Sequence, residues 1–112
     1  MAPDLKTSTP RSGRQLLGRY VWLARLADKV RADRAGTNGE YTAYCVISQG
    51  FLERAGVSVH DFDKLIREGA SDAALVSYFD AHVDDAHRNA AHAYVLEDMK
   101  DRLDEQDAEE GR

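Results

Sequence analysis

Two charged residues fall on the apolar face of the longest amphipathic segment in the sequence. On a helical wheel of residues 13–35, Asp28 and Arg31 both lie within the apolar arc. A charge buried alone is strongly destabilising, so charges in such positions are expected to have partners. Three-residue spacing lets Asp28 reach both Arg25 and Arg31 on a helix. The sequence therefore predicts an internally paired charge cluster on this face.

The residues that follow this segment could turn the cluster into a pocket. Glu40 and Tyr41 come directly after a glycine-rich turn, and by folding back they could give Arg31 a carboxylate and a phenol. One interpretation is a structural salt-bridge cluster that fixes the turn against the helix. The other is a small-anion or carboxylate site, with Arg31 as anion anchor and Glu40 as a candidate acid or base. The candidate ligand-binding residues are Arg25, Asp28, Lys29, Arg31, Glu40 and Tyr41.

Other residues with chemical potential occur in less specific patterns. Cys45 lies in an uncharged segment with no neighbouring cation or histidine in the sequence, which favours a buried small side chain over a nucleophile. His82, Asp84 and His87 are close together, but HExxH and other tight ligand spacings are absent from the sequence. We therefore predict neither a metal site nor a cofactor, and interpret these histidines as surface residues.

Basic residues form a short row on the predicted solvent face of the same segment, which could follow a phosphate backbone. The row consists of Arg11, Arg14, Arg25 and Lys29. The isoelectric point near 5.3 and the lack of interleaved aromatic residues disfavour nucleic acid as the partner. A solvated face or an acidic partner surface fits this row better.

Helices are expected to position all of these groups. Apolar residues at positions 16, 20, 23, 27 and 30 predict one helix from Gly13 to Ala35, capped by Ser12 and ended by Gly36. At 1.5 Å per residue it would be about 33 Å long and would form a central strut. A short extended segment is predicted near 41–46. Serines 48, 58 and 71 are expected to cap shorter helices, and one further helix is predicted from 86 to 103.

The chain of 112 residues is expected to form one small all-α domain, in which the long N-terminal helix is wrapped by three or four shorter helices. We predict an irregular arm over 1–12, the helical domain over 13–103 and a flexible acidic tail over 104–112. The sequence has no apolar stretch of the roughly 18 residues that span a bilayer, and its start lacks the apolar block of a signal peptide. These features, with a single cysteine, predict a cytoplasmic protein without membrane contact.

The sequence of the N-terminal third resembles that of a known protein family. The run LLGRYVWLARLADKVRADRAGTNGEY (16–41), preceded by DLKTSTPRS (4–12), resembles an uncharacterised bacterial domain-of-unknown-function family. Its members look like DLT…PRSP…LGGYV.L.RLIDK.RA..AG..GEY and continue into a small helical domain. The match extends more weakly through 51–62 and 69–79, whereas the segment from His82 lacks the Trp-bearing helix of many members. The resemblance implies a helical fold and brings no known reaction. Matching positions are Arg25, Asp28, Lys29, Gly36, Gly39, Glu40 and Tyr41.

Two classes of function remain open at this point. The first is a non-catalytic interaction module, a homo-oligomer or the binder of another protein, in which Val21, Trp22 and Leu26 form an exposed apolar contact. The second is a protein that binds a small anionic ligand at the candidate residues named above, either as a simple binding protein or as an enzyme that acts on this ligand. The sequence favours the first class narrowly, since it contains no phosphate loop and no nucleophile beside a base.

Overall fold

The computed structural model describes residues 2–112 and consists of α-helices joined by short turns. The helices are α1 (Leu23–Ala35), α2 (Val46–Ala55), α3 (Val59–Arg67), α4 (Asp72–His82), α5 (Asp85–Ala93) and α6 (Lys100–Glu109), with a π-helical turn (Tyr94–Asp98) between α5 and α6. Within residues 2–112 there is no strand, only one isolated antiparallel bridge between Leu17 and Tyr20. The predicted all-α class is confirmed.

The first helix begins at Leu23 and not at Gly13. Trp22, which precedes it, has a left-handed backbone with φ of 69°, and its N–H donates to the carbonyl oxygen of Gly13 over 2.8 Å. In one continuous helix these two residues would lie about 13 Å apart along the axis. A Cβ at Gly13 would lie 2.6 Å from the indole ring, so only glycine permits this contact. The predicted start, with Ser12 as cap, is therefore wrong: a tight turn buries the same apolar residues that suggested a helix.

Helix α1 is short and enclosed by the rest of the chain. Its 13 residues span about 20 Å, less than the 33 Å expected from the sequence. Each residue from 23 to 27 is buried, so charged side chains on this helix are forced into the interior. The helix ends at Gly36, which has φ of 74° and takes the left-handed position predicted for it.

The shorter helices are capped mostly as predicted. Ser58 Oγ accepts the N–H of Asp61 at the start of α3, and Ser71 Oγ caps α4 in the same way. Ser48 does not cap a helix, because α2 already begins at Val46 and Cys45 occupies the N-cap position. Of the segment predicted to be extended near 41–46, residues 41–45 are irregular and join no strand within residues 2–112, and Val46 already belongs to α2.

The C-terminal part differs most from the expectation. The single helix predicted for 86–103 is two helices, α5 and α6, separated by the π-helical turn. The chain does not fray after Leu103: α6 continues to Glu109, and Leu103 itself is buried. Two residues of the acidic stretch pair with the N-terminal segment, since Arg14 bonds to both Asp104 and Asp107 over 2.7 Å. These ion pairs give the acidic stretch an anchor that its composition does not reveal.

Candidate functional site

The structure separates the six candidate ligand-binding residues into two groups. Asp28 and Arg31 belong to a cluster in which every charge has a partner. The other four line an open cavity on another side of α1. These four are Arg25, Lys29, Glu40 and Tyr41.

The first group is a closed network that we call the paired cluster, made of Arg11, Asp28, Arg31 and Asp72. Arg11 donates through Nε and Nη2 to the two carboxylate oxygens of Asp28, over 3.0 and 2.9 Å. It also donates to Asp72 over 3.0 Å, and Arg31 Nη1 donates to Asp72 over 2.7 Å. Burial would raise the pKa of Asp72, but the two arginines outweigh it and lower that pKa.

The partners within this network are not those predicted. Asp28 pairs with Arg11 rather than with Arg25 or Arg31, because the N-terminal segment lies along α1 and brings Arg11 to it. Arg31 reaches Asp72 at the start of α4 and the carbonyl oxygen of Ala70. Helical spacing along α1 therefore did not decide the pairing, and long-range contacts did.

The second group surrounds an open cavity of about 650 Å³. We call it the Lys29 cavity. Its wall comes from α1, the loop after α1, the beginning of α2 and the end of α6. The lining residues are Thr9, Arg25, Lys29, Glu40, Tyr41, Thr42, Cys45, Val46, Ile47, Arg102, Gln106, Glu109 and Glu110.

A buried ion pair forms one side of the Lys29 cavity. Arg25, only 2% exposed, donates through both terminal nitrogens to the two carboxylate oxygens of Glu110, over 2.8 and 2.7 Å. The Tyr41 hydroxyl donates to the same carboxylate over 3.2 Å. Tyr41 therefore folds back as predicted, but onto Arg25 and Glu110 rather than onto Arg31. Glu40 is exposed and has no ion pair within residues 2–112.

A second buried cation, Lys29, forms the other side. It lies one helical turn after Arg25 and is 3% exposed. Its Nζ is 3.3 Å from Cys45 Sγ and 5.5 Å from the centre of the Trp22 ring. No carboxylate within residues 2–112 lies at salt-bridge distance from this ammonium group. Burial lowers the pKa of Lys29.

Cys45 is held at the beginning of α2, where backbone N–H groups and the helix dipole favour negative charge. Ser48, which is fully buried, lies beside it with Oγ 3.5 Å from Sγ. The same hydroxyl accepts the Trp22 indole N–H over 3.1 Å. Burial would raise the pKa of the Cys45 thiol, but the Lys29 ammonium and the contacts with Ser48 outweigh it and hold that pKa below its usual value.

Two buried polar atoms on residues of the cavity wall lack hydrogen-bond partners within residues 2–112. They are Arg25 Nε and Gln106 Oε1. An unsatisfied buried polar atom typically costs about 1–3 kcal/mol, so such atoms are rare in a core selected for stability alone. The Lys29 cavity is therefore the part of the interior where polar groups are least completely satisfied.

The comparison with protein families covers nearly the whole chain. Residues 7–112 match the family described as "Domain of unknown function (DUF5069)". The chain belongs to this family. The resemblance to an uncharacterised domain-of-unknown-function family is thereby confirmed, and all residues of the Lys29 cavity lie within the matched range. Among curated proteins, no match to this chain was found.

The apolar contact predicted for self-association is inside this DUF5069 chain. Val21 is 4% exposed, and Trp22 and Leu26 are not exposed. The prediction that these residues lie at the surface is wrong, because the turn before α1 and the short length of α1 place all three in the core. Arg25 and Lys29 are buried as well, so the predicted solvent-facing basic row does not exist.

The histidine cluster has a structural explanation. Asp84 is the N-cap of α5 and accepts both the N–H and the Nδ1 of His87, over 2.8 and 2.7 Å. His82 stacks on Tyr78 with ring centres 4.1 Å apart. In the part of the chain that the structure describes, no group of three or more His, Cys, Asp or Glu side chains could hold a metal ion. No helix over the same residues is long and apolar enough to cross a membrane.

Nine of the thirteen lining residues were not among the candidates, and three of these, Cys45, Gln106 and Glu110, matter most for the chemistry of the cavity. Cys45 and Lys29 are 16 positions apart, so the cation beside the thiol is invisible in the local sequence. Glu110 pairs with Arg25 across 85 positions and lay in a stretch expected to be flexible. Gln106 carries no pattern of its own. No signal in the sequence pointed to the Arg25–Glu110 pair, because Arg25 was expected on the solvent face of the helix.

Proposed function

We propose that this DUF5069 protein binds a small carboxylate-bearing ligand in the Lys29 cavity. One observation carries the proposal: of the two buried cations in the described chain, Arg25 is neutralised by Glu110, whereas Lys29 has no carboxylate partner. A buried charge without a counterion is strongly disfavoured. A bound carboxylate would supply that counterion at the wall of an open cavity.

The size and lining of the cavity support a ligand of low molecular weight. Ligand cavities commonly measure about 300–1,000 Å³, and this one is about 650 Å³. Val46, 68% exposed, and Ile47 add an apolar surface to the wall. Arg102 on α6 is exposed and has no ion pair within residues 2–112, and its charge offsets part of the repulsion of an anion by the exposed Glu40 and Glu109 of the same wall.

Arg31 is not part of the proposed site. Its guanidinium is occupied by Asp72 and the Ala70 carbonyl, so the anion anchor moves to Lys29. The alternative function, an interaction module that self-associates, has lost the surface on which it rested, since Val21, Trp22 and Leu26 are buried. As part of the same proposal we place the protein in the cytoplasm, because a reducing compartment keeps a single cysteine as a thiol.

Thermal unfolding with matched ligands tests the proposal. Propionate is compared with propionamide, which has the same shape and no charge. A ligand at ten times its dissociation constant stabilises by about 1.4 kcal/mol, which raises Tm by about 5 °C in a domain of this size. We expect this shift with propionate only. Chemical shift perturbation of the Lys29 and Cys45 signals in NMR spectra would place the ligand.

Three variants locate the effect. Lys29→Met keeps the length of the side chain and removes the ammonium group, so the propionate shift should disappear. Lys64→Met removes one charge from an exposed lysine without an ion pair in the described chain and should keep the shift. Arg31→Met, in the paired cluster, should also keep it. Equal shifts with propionamide, or a propionate shift that survives Lys29→Met, would contradict the proposal.

A further inference from the structure

The Lys29 cavity contains a nucleophilic group that ligand binding alone does not use. Cys45 is the single cysteine of the chain, is partly exposed and lines the cavity together with Lys29. It occupies the N-cap of α2, a helix of 10 residues. Thiols become reactive where a cation, a helix N-terminus and access to solvent coincide. Cys45 has all three.

Lys29 provides the observation that is independent of the cysteine itself. Its ammonium group is buried, faces Sγ over 3.3 Å and has no carboxylate partner within residues 2–112. Glu40, Glu109 and Glu110 also line the cavity, but none of them lies at salt-bridge distance from Lys29, and Cys45 Sγ is the group that its Nζ contacts directly. Ser48 contacts the same sulfur and is fixed by the Trp22 indole, so the thiolate is held in a defined orientation.

We infer that Cys45 is a nucleophilic thiolate that forms a mixed disulfide with one half of a small, carboxylate-bearing disulfide bound in the Lys29 cavity. The inference rests on the proposed function for the carboxylate selectivity and on the Cys45–Lys29 pair for the reactivity. A second thiol is absent from this chain, so no internal disulfide can displace the bound half. The mixed disulfide therefore persists until an external thiol attacks it.

The exchange step is balanced without any further reagent. Cys45 Sγ attacks one sulfur of the small disulfide, a bond forms between these two sulfur atoms, and the original S–S bond breaks. The departing half leaves as a thiolate and takes a proton from solvent. Cys45 is oxidised and the departing half is reduced by the same electron pair. Lys29 stabilises the attacking thiolate first and can then pair with the carboxylate of the attached half.

Three disulfides of matched length test this inference by mass spectrometry of the intact chain. They are 3,3′-dithiodipropionate with two carboxylates, bis(2-hydroxyethyl) disulfide without charge, and cystamine with two ammonium groups. We expect a single adduct on Cys45, formed about tenfold faster with dithiodipropionate than with cystamine, because a carboxylate can pair with the Lys29 ammonium beside the sulfur whereas an ammonium group is repelled by it. The Cys45→Ser variant should form no adduct with any of the three.

The reaction rate with the neutral disulfide reports the reactivity of Cys45 without any contribution from the charge of the ligand. At pH 7, bis(2-hydroxyethyl) disulfide should react about fivefold faster with the native chain than with Lys29→Met, because the lysine increases the thiolate fraction. Lys29→Arg should restore much of the rate. The pH profile of iodoacetamide alkylation should show a Cys45 pKa below the ordinary value of about 8.5, and this measurement on the native chain stands if Lys29→Met fails to fold.

The outcomes distinguish the two proposals. If propionate binds but native Cys45 reacts no faster than the urea-unfolded thiol, the inference is overturned and the proposed function stands. If Cys45 reacts fast but the three disulfides react at equal rates and propionate does not bind, the proposed function and the carboxylate selectivity both fail. Fast reaction with the expected order of the three disulfides supports both.

Discussion

The paired cluster and the Lys29 cavity both contain residues of α1, but they differ in whether each charged side chain has a partner of opposite charge. Asp28 and Lys29 are neighbours in the sequence, yet Asp28 receives three hydrogen bonds from Arg11, whereas Lys29 has only a thiol for a partner. Each charge of the cluster meets an opposite charge from another segment. The cavity instead combines one complete ion pair, Arg25–Glu110, with one incomplete site.

This contrast shows what each region contributes. A network in which all donors and acceptors are satisfied stabilises the docking of the N-terminal segment and α4 onto α1. An incomplete site weakens the fold and is retained where a ligand or a reaction completes it. The sign of the stability change on substitution should therefore differ between a residue whose charge is paired and Lys29, whose charge has no carboxylate partner.

The largest expected loss of stability follows Glu110→Gln. The glutamine amide would place donors against the donors of Arg25 and leave a guanidinium that is 2% exposed without a counterion. We expect a decrease of about 3 kcal/mol in the free energy of unfolding, measured with urea. Glu109→Gln is the matched control, because Glu109 is exposed and has no ion pair in the described chain. A loss below 1 kcal/mol would mean that solvent reaches Arg25.

The same variant should alter the acid limb of the stability curve. Burial would raise the pKa of Glu110, but Arg25 and Arg112 outweigh it and lower that pKa. A carboxyl with a lowered folded pKa adds stability above its ordinary pKa, and this stability is lost as pH falls through the folded value. The native chain should therefore lose stability more steeply below about pH 4.3, the ordinary glutamate pKa, than Glu110→Gln does.

The next effect is the loss of stability caused by Arg31→Met in the paired cluster. Arg31 is 13% exposed. The substitution removes its hydrogen bond to Asp72 and its hydrogen bond to the carbonyl oxygen of Ala70. We expect a decrease of about 2 kcal/mol, since Asp72 keeps Arg11 and remains partly solvated. Arg102→Met, which removes an exposed arginine, should change the stability by less than about 0.5 kcal/mol. Equal losses in both variants would refute a structural role for the cluster.

The smallest expected effect is an increase in the free energy of unfolding, caused by Lys29→Met in the Lys29 cavity. Lys29→Met removes a buried ammonium group without a carboxylate partner and keeps an unbranched side chain against Trp22. We expect a gain of about 1 kcal/mol in ligand-free protein, because Cys45 can take up a proton once its cation is removed, and relief of the lysine desolvation then exceeds the lost contacts with Sγ and the Trp22 ring. Lys64→Met serves as the control for net charge. A marked loss of stability would show that Lys29 is a structural residue and would erase the contrast with Arg31.

The sequence predicted the all-α class and several helix ends correctly, but it did not predict where the first helix begins. Glycine and serine signals at the helix ends were reliable where one local hydrogen bond decides the boundary, as at Gly36, Ser58 and Ser71. The start of α1 was wrong because the contact of Trp22 with Gly13 is tertiary, and helical periodicity cannot distinguish a helix from a turn that buries the same residues.

The site was predictable in part for the same reason. The two charges predicted to be buried, Asp28 and Arg31, lie in the paired cluster, whereas the other four candidates line the cavity. The partners of these charges come from segments 16 to 85 positions away, so local spacing could not assign them. The acidic residues at 104–110 are typical of a solvated tail in composition, and only the distant arginines turn them into part of the site.

The position of Trp22 has a practical consequence. It is the single tryptophan of the chain, its ring is shielded from water, its indole N–H bonds to Ser48 and the Lys29 amine lies over its face. The tryptophan fluorescence of the protein, excited at wavelengths that tyrosine does not absorb, therefore originates a few ångströms from the thiol and the ammonium group. Its emission should respond to the charge at either group, so occupancy and chemistry in the cavity can be followed optically in the native chain without a label.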